Sequence, residues 1–215
     1  MSLPTSVRKP SNKGGVKKFI GRFPSFRLNV TLWFESLLER DYLCLLEFDH
    51  LDVLSFREQP GRIYYTLDGK RRRYTPDFYV ERKSKRQIIE VKAESKALEE
   101  KYRALFRVAS LICSREGYEF KVITEKFIRV QPRLNNVKLL LRYQRVNFLP
   151  QHEIYCQEFF AARRSAGLGE VMEFFAAKGV EKPVVYSLIR WGVLGVNLVE
   201  RIDTDSMVYL PGGND

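Results

Sequence analysis

The period of apolar positions changes several times along the chain, and each change marks an expected element. Residues 31–47 place Phe34, Leu37, Leu38, Tyr42 and Leu45 on one broad face at helical spacing, which predicts a helix. Residues 51–93 shift to a shorter period. Leu51–Arg57, Arg62–Leu67, Arg73–Glu81 and Gln87–Lys92 read as four strands. Asp68-Gly69, between the second and third, is a hairpin signal, because such a turn needs residues that tolerate positive φ. Helical spacing returns over 96–116, where Leu98, Tyr102, Leu105, Ala109 and Ile112 recur at steps of three and four, and Gly117 supplies a stop. Tyr118–Thr124 reads as one more strand.

Beyond Pro132 the texture shifts. Helices are expected over 136–146, 151–164, 168–178 and 183–192, punctuated by Gly167 and Gly179, with Pro183 suited to a first helical turn. Gly195–Glu200 and Ser206–Leu210 then alternate like a two-stranded hairpin. Helices closed by a hairpin predict a small winged-helix-like domain over 133–215, following a mixed α/β domain over 26–132. Ahead of both, residues 1–25 hold Arg8, Lys9, Lys13, Lys17, Lys18 and Arg22 without any period, and read as a mobile basic arm suited to gripping phosphates.

Composition narrows the chemistry. The 215 residues suit one or two domains, and 45% hydrophobic with 29% charged residues fits a globular protein. No apolar run approaches the ~18 residues of a membrane span, and the first ten residues lack the apolar core of a signal peptide. The expectation is a cytoplasmic protein. Three cysteines with no CxxC pair argue against a zinc ribbon, an iron–sulfur cluster or a disulfide scaffold. Only His50 and His152 are present, without a partner pattern, and both read as structural. Hydrolytic chemistry would therefore fall to carboxylates and a hard metal ion.

The net charge of +11 is uneven. Residues 1–34 carry seven Lys/Arg and no acid; residues 136–215 carry nine of each sign. A polyanion would thus be met by the first two-thirds of the chain.

The informative stretch contains Asp77 and, after twelve intervening residues, Glu90-Val91-Lys92. On a strand, alternate side chains share a face, so Glu90 and Lys92 point one way and Ile89 and Val91 the other. If the strand of Asp77 pairs antiparallel with that of Glu90, the two carboxylates converge. Their repulsion is relieved by a divalent, oxygen-loving cation, Mg²⁺ by hardness with Mn²⁺ as a substitute. Asp77, Glu90 and the Val91 carbonyl are the candidate ligands, with Glu39 completing the shell directly or through water. Lys92 stays protonated beside two carboxylates, placed to polarise water or neutralise a phosphate. This is the chemistry of metal-dependent phosphodiester hydrolysis. Lys70, Arg71, Arg72 and Arg73 before Asp77, and Arg82, Lys83, Lys85 and Arg86 before Glu90, are candidate contacts to a DNA backbone on each side of the site. No base-reading motif is evident, so weak sequence preference is expected.

Four blocks carry a resemblance: Ser36-Leu37-Leu38-Glu39, Phe56-Arg57-Glu58-Gln59-Pro60, Tyr74-Thr75-Pro76-Asp77-Phe78 and Glu90-Val91-Lys92. In this order and spacing the chain resembles the TnsA endonuclease subunits of heteromeric, cut-and-paste (Tn7-like) transposons over residues 30–125. Trp191-Gly192-Val193-Leu194 and the closing hairpin are similar mainly in layout. The resemblance implies a restriction-endonuclease-like, PD-(D/E)xK fold with a mixed sheet flanked by helices. It implies cleavage of the strand bearing the transposon's 5′ end, while an RNase H-like, TnsB-like transposase acts on the 3′ end and an AAA+, TnsC-like ATPase regulates the complex. It places the catalytic set on Glu39, Asp77, Glu90 and Lys92. Some members carry Gln at the third position; Glu90 adds a charge there. Glu35, one turn from Glu39, does not fit the Ser-x-x-Glu register. The neutral C-terminal part is expected to contact the ATPase rather than DNA. Transposon-end DNA is the expected substrate, and the nucleoid of a bacterial cytoplasm the expected place. A stand-alone restriction or junction-resolving nuclease and a non-catalytic DNA-binding assembly factor are the alternatives.

Overall fold

A computed structural model describes residues 19–67 and 69–212. Two compact units divide the chain, one ending at Arg129 and the other beginning at Val130.

In the first unit, β1 (Gly21–Ser25) pairs antiparallel with β2 (Val30–Phe34). Two expectations are corrected here. Residues 21–25 of the basic arm are strand; residues 1–18 of it lie outside the described residues. Residues 31–34 are strand too, not the start of a helix. Their alternation decides it: Leu32 and Phe34 are buried while Thr31 is exposed, a period of two that the helical reading of Phe34 overlooked. The loop between these strands is tied to the next helix by the buried Glu47, which accepts from the Ser25 hydroxyl at 2.6 Å and the Arg27 N–H at 2.9 Å.

Helix α1 (Leu37–Phe48) begins at Ser36, whose hydroxyl accepts from the Glu39 N–H at 3.1 Å. Ser36 and Glu39 thus stand in the N-cap and third positions of a capping box. Strands β3 (Val53–Glu58), β4 (Ile63–Leu67), β5 (Lys70–Tyr74), β6 (Phe78–Arg82) and β7 (Arg86–Val91) follow. The expected strand over 73–81 is therefore two. Pro76 has no N–H for a ladder and restricts Thr75 before it, so the chain breaks there and restarts at Phe78. Gly69 turns the β4–β5 hairpin at φ +69°; Asp68, the other half of the turn signal, lies outside the described residues.

The expected helix over 96–116 is also two, α2 (Glu94–Ala97) and α3 (Glu100–Arg115), parted by an extended Glu99. Gly117 ends α3 at φ +78°. Strand β8 (Glu119–Ile123) and the short α4 (Glu125–Ile128) complete the unit.

The central sheet runs β3-β6-β7-β8, antiparallel except for the β7–β8 pair, while β4 and β5 form a separate two-stranded ribbon. One face of the sheet is apolar: Phe56, Phe78, Val80, Ile89 and Val91 form a core with Leu43 and Leu46 of α1. On the other face, Phe106 of α3 lies 5.9 Å from Phe120 of β8, so α3 roofs the β8 side.

The second unit holds α5 (Arg133–Leu141), α6 (Pro150–Phe160), α7 (Leu168–Ala177) and α8 (Lys182–Arg190). Its sheet has the order β10-β11-β9, from Gly195–Val196, Met207–Tyr209 and Ala166–Gly167. The expected hairpin gains β9 as a third strand, too short to show a period. Asn136 ties α5 to the loop before β11, donating to the Leu198 and Glu200 carbonyls at 2.9 and 2.6 Å and accepting from the Ile202 N–H at 3.2 Å.

Candidate active site

The register sets the site. Phe78 pairs with Ile89, so Asp77 and Glu90 stand opposite each other one step further along. The Asp77 N–H donates to the Ile89 carbonyl at 3.1 Å, and its own carbonyl accepts from Gln59 N–H at 2.8 Å. Its backbone is thus clamped from both sides. Side-chain alternation puts Asp77, Tyr79 and Glu81, with Ile88, Glu90 and Lys92, on the sheet face opposite the α1 core.

Asp77 Oδ2 accepts from the Val91 N–H at 2.7 Å. Glu90 is 3% exposed, and both its oxygens are engaged: Oε1 with Lys92 Nζ at 2.5 Å and Oε2 with the Tyr74 hydroxyl at 2.5 Å. Lys92 Nζ also lies 4.8 Å from the centre of the Tyr102 ring. Glu39 Oε1 accepts from the Ser36 hydroxyl at 2.8 Å, and Oε2 from the Glu35 N–H at 2.7 Å.

These groups feel one another's charge. Burial first, then repulsion from Glu90 and Glu39, pushes the Asp77 carboxyl well above the usual carboxylate range; the Val91 N–H and Lys92 only partly offset this. The Glu39 carboxyl is raised chiefly by burial, with Glu35 and Glu90 adding to it. Burial opposes the charge on Lys92, yet Glu90 and Asp77 hold its ammonium above the ordinary value. Tyr74 is pushed well above the usual phenol range by burial and by Glu90 and Asp77, so its hydroxyl is a donor to Glu90 and not a base.

Glu39, Asp77, Glu90 and Lys92 therefore share one electrostatic neighbourhood. Among the described residues, however, no three Asp, Glu, His or Cys side chains are gathered as a metal-binding group. Here Glu90 is engaged by Tyr74 and Lys92, and Glu39 by the N-cap of α1. Val91 takes part through its N–H to Asp77; its carbonyl was the expected ligand atom.

The basic residues divide. Lys70, Arg71, Arg72 and Arg73 are exposed on β5, which ends at Tyr74 beside Glu90. Lys83, Lys85 and Arg86 do not flank the carboxylates as expected. They sit in and after the turn at the opposite end of the β6–β7 hairpin, roughly 13–20 Å from the carboxylates at 3.3 Å per residue. Position before Glu90 in sequence misled, because the strand between runs the length of the sheet. Lys85 there pairs with Glu119 at 3.4 Å. His50 and His152 serve local backbone: His50 Nδ1 is 3.0 Å from the Phe48 carbonyl, and His152 Nδ1 accepts from the Leu149 N–H at 3.1 Å.

Two residues at the site were not anticipated. Tyr74 closes over Glu90. Gln59 donates to Glu35 Oε1 at 3.2 Å and adopts a left-handed φ of 41°, a conformation uncommon for its residue type. Both lie within the quoted motif blocks; the two-residue spacing from Pro76 was the only local signal for Tyr74.

A mixed sheet thus carries an acidic pair and a lysine at adjacent strand ends. Residues 50–125 match the family model described as TnsA-like endonuclease N terminal. That stretch spans β3 to β8 and holds Asp77, Glu90 and Lys92, with Glu39 ahead of it. The match supports a TnsA-like protein with a nuclease domain over those residues. No curated protein matches the chain.

Proposed function

We propose that this chain is the metal-dependent DNA endonuclease subunit of a transposase, cutting the 5′ strand at transposon ends. The observation that carries it is the placement of Asp77 opposite Glu90 with Lys92 on the same face, in a domain matching a TnsA-like endonuclease. In this reading the first unit is a restriction-endonuclease-like PD-(D/E)xK domain and the second a winged-helix-like domain.

The donor chemistry suits a hard divalent cation: oxygen donors only, with the Asp77 and Glu39 carboxyl groups raised first by burial and then by like charge, which a cation would relieve. Asp77, Glu90, Glu39 and the Val91 carbonyl would hold Mg²⁺, or Mn²⁺ in its place. The ion, when bound, stabilises the charge that develops on phosphorus oxygens and lowers the pKa of water. The chain's own residues do the rest. The Val91 N–H orients Asp77. Lys92 keeps its proton and offers a fixed positive charge to a scissile phosphate or an attacking water. Ser36 and the Glu35 N–H hold the Glu39 carboxylate at the head of α1, where the positive end of the helix dipole favours it.

Exposed Lys70–Arg73 on the ribbon beside Glu90 supply backbone contacts to DNA. The second unit, neutral over 136–215, is assigned to protein contact with a TnsC-like AAA+ ATPase, alongside a TnsB-like RNase H-like transposase acting on the 3′ strand. The expected place of action is the bacterial nucleoid. No helix among the described residues is long and apolar enough to cross a membrane.

The test is reconstitution with the neighbouring transposase and ATPase on a donor plasmid, followed by sequencing of the 5′ ends. Loss of the 5′ cut in Asp77→Ala with the 3′ cut retained supports the assignment. Identical cuts from wild type and variant make the chain a DNA-binding assembly factor. Cutting of plain duplex by the chain alone makes it a stand-alone nuclease.

A further inference from the structure

The sheet face that bears the carboxylates does not end with them. One step away from the Asp77/Glu90 pair, the register aligns Arg57 of β3, Tyr79 of β6, Ile88 of β7 and Phe120 of β8 in a row across the sheet. The Phe120 side of this row is roofed by α3. The Arg57–Tyr79 side is an open groove of about 330 Å³. Arg57 lies over the Tyr79 ring at 5.0 Å; Tyr79 meets Tyr118 edge-on at 6.1 Å; Arg86 lies over Tyr118 at 5.1 Å. The result is a continuous Arg–Tyr–Tyr–Arg ladder. Arg57 Nε has no hydrogen-bond partner, and among the described residues neither Arg57 nor Arg86 is ion-paired. The one carboxylate in the groove, Glu81, accepts from the Ser55 hydroxyl at 2.9 Å. A second hollow of about 520 Å³, sharing Glu81 and Arg86's turn, continues to Lys83 and Lys85.

Resting on the nuclease reading, we infer that this ladder is the track for a DNA strand leaving the catalytic carboxylates: Arg57 and Arg86 hold successive phosphates, and Tyr79 and Tyr118 present their rings to bases. Three features favour a nucleic-acid strand as occupant. The groove lies on the same sheet face as the Asp77/Glu90 pair, about 7 Å along the strand from Asp77 to Tyr79. Across the groove and the second hollow, Arg57, Lys83, Lys85 and Arg86 outnumber the carboxylates Glu81 and Glu119. Guanidinium groups beside aromatic rings bind single strands without demanding a sequence. The track also gives the remote turn a use: Lys83 and Lys85 meet the strand at its far end rather than at the cut.

The experiment uses the full chain in EDTA with a labelled transposon-end duplex carrying a frayed end, and reads the slope of log affinity against log salt. Arg57→Gln is expected to reduce the slope by about one unit and Arg57→Gln/Arg86→Gln by about two, with Arg57→Lys restoring it. Arg103→Gln, exposed on α3, is expected to leave it unchanged. In parallel, the wild-type chain is photocrosslinked to strands bearing 5-iodouracil at successive positions, with adducts expected on Tyr79 or Tyr118. An unaltered slope in the double variant, an equal drop in Arg103→Gln, or adducts confined to other residues overturns the track and leaves the nuclease reading standing. A wild-type chain with no affinity for DNA at low salt overturns both.

Discussion

Replacing Asp77 by Asn should make the metal-free protein more stable while abolishing its chemistry. Asp77 carries its charge among like charges: Glu90 opposite and Glu39 at the head of α1 both oppose it, and burial removes much of its water. Lys92, 2.5 Å from Glu90, offsets only part of that repulsion. What remains is lost hydration and the charge of Glu90 and Glu39, set against one N–H from Val91 at 2.7 Å. At an effective dielectric of about 20, like charges roughly 4–8 Å apart repel by on the order of 2–4 kcal/mol. The hydrogen bond to a charged acceptor is stronger than one to a neutral acceptor by about 1 kcal/mol. Asn keeps the acceptor for Val91 and removes the charge, so a net gain of about 1–2 kcal/mol is expected. For a unit of this size that raises the melting temperature by roughly 4–8 °C. The assay is thermal unfolding of both proteins in EDTA at pH 8. Added Mn²⁺ should then raise the wild-type midpoint in a concentration-dependent way and leave the variant unmoved. A variant that melts at or below wild type in EDTA would refute the reasoning, because it would mean that Lys92 and Val91 fully compensate the buried charge.

Further outcomes are expected elsewhere. Lys92→Ala should lower cleavage in the reconstituted complex by ~10²-fold or more, the scale of losing one transition-state stabiliser, measured as single-turnover rate. Ser36→Ala should destabilise the first unit by about 1 kcal/mol through loss of the N-cap, read by urea unfolding. Phe78→Ala, at a fully buried ring against Tyr42, should cost about 3–5 kcal/mol by the same method. The Asp52 carboxyl is held below its ordinary value chiefly by its hydrogen bond from Arg82, at 2.7 Å. Because the folded value is depressed, this contact stabilises the protein above the unfolded carboxyl pKa of about 3.9, and the contribution is lost as pH falls through the folded value. Arg82→Gln should return Asp52 to the ordinary range in an NMR titration, and an unmoved Asp52 would show that Arg82 is not its cause.

Legibility in the sequence followed the length over which each signal repeats. Glu90 and Lys92 sit two apart within a run of apolar strand residues, and that alternation was enough to place them on one face. Their partner Asp77 was legible for a local reason as well, since Pro76 both ends one strand and sets the start of the next. Elements with fewer than about five residues, such as α2, α4 and β9, carry barely one repeat and could not be read. Phe34 misled because a single bulky residue fits two periods; only its burial beside Leu32, with Thr31 exposed, separates strand from helix. The larger failure concerned Lys83, Lys85 and Arg86. A linear sequence reports distance along the chain, and a strand converts five residues into the full length of a sheet. Neighbourhood across a sheet follows register instead, which is why Arg57, twenty residues before Asp77, lies one row from it while Arg86, four residues before Glu90, lies at the far end. Register depends on the β3–β6 pairing, a contact between segments separated by the whole β4–β5 ribbon, and no local pattern encodes it. The residues that carry a strand-binding role are therefore those that sequence reading is least able to gather, whereas the carboxylates, paired across one hairpin, are those it gathers best.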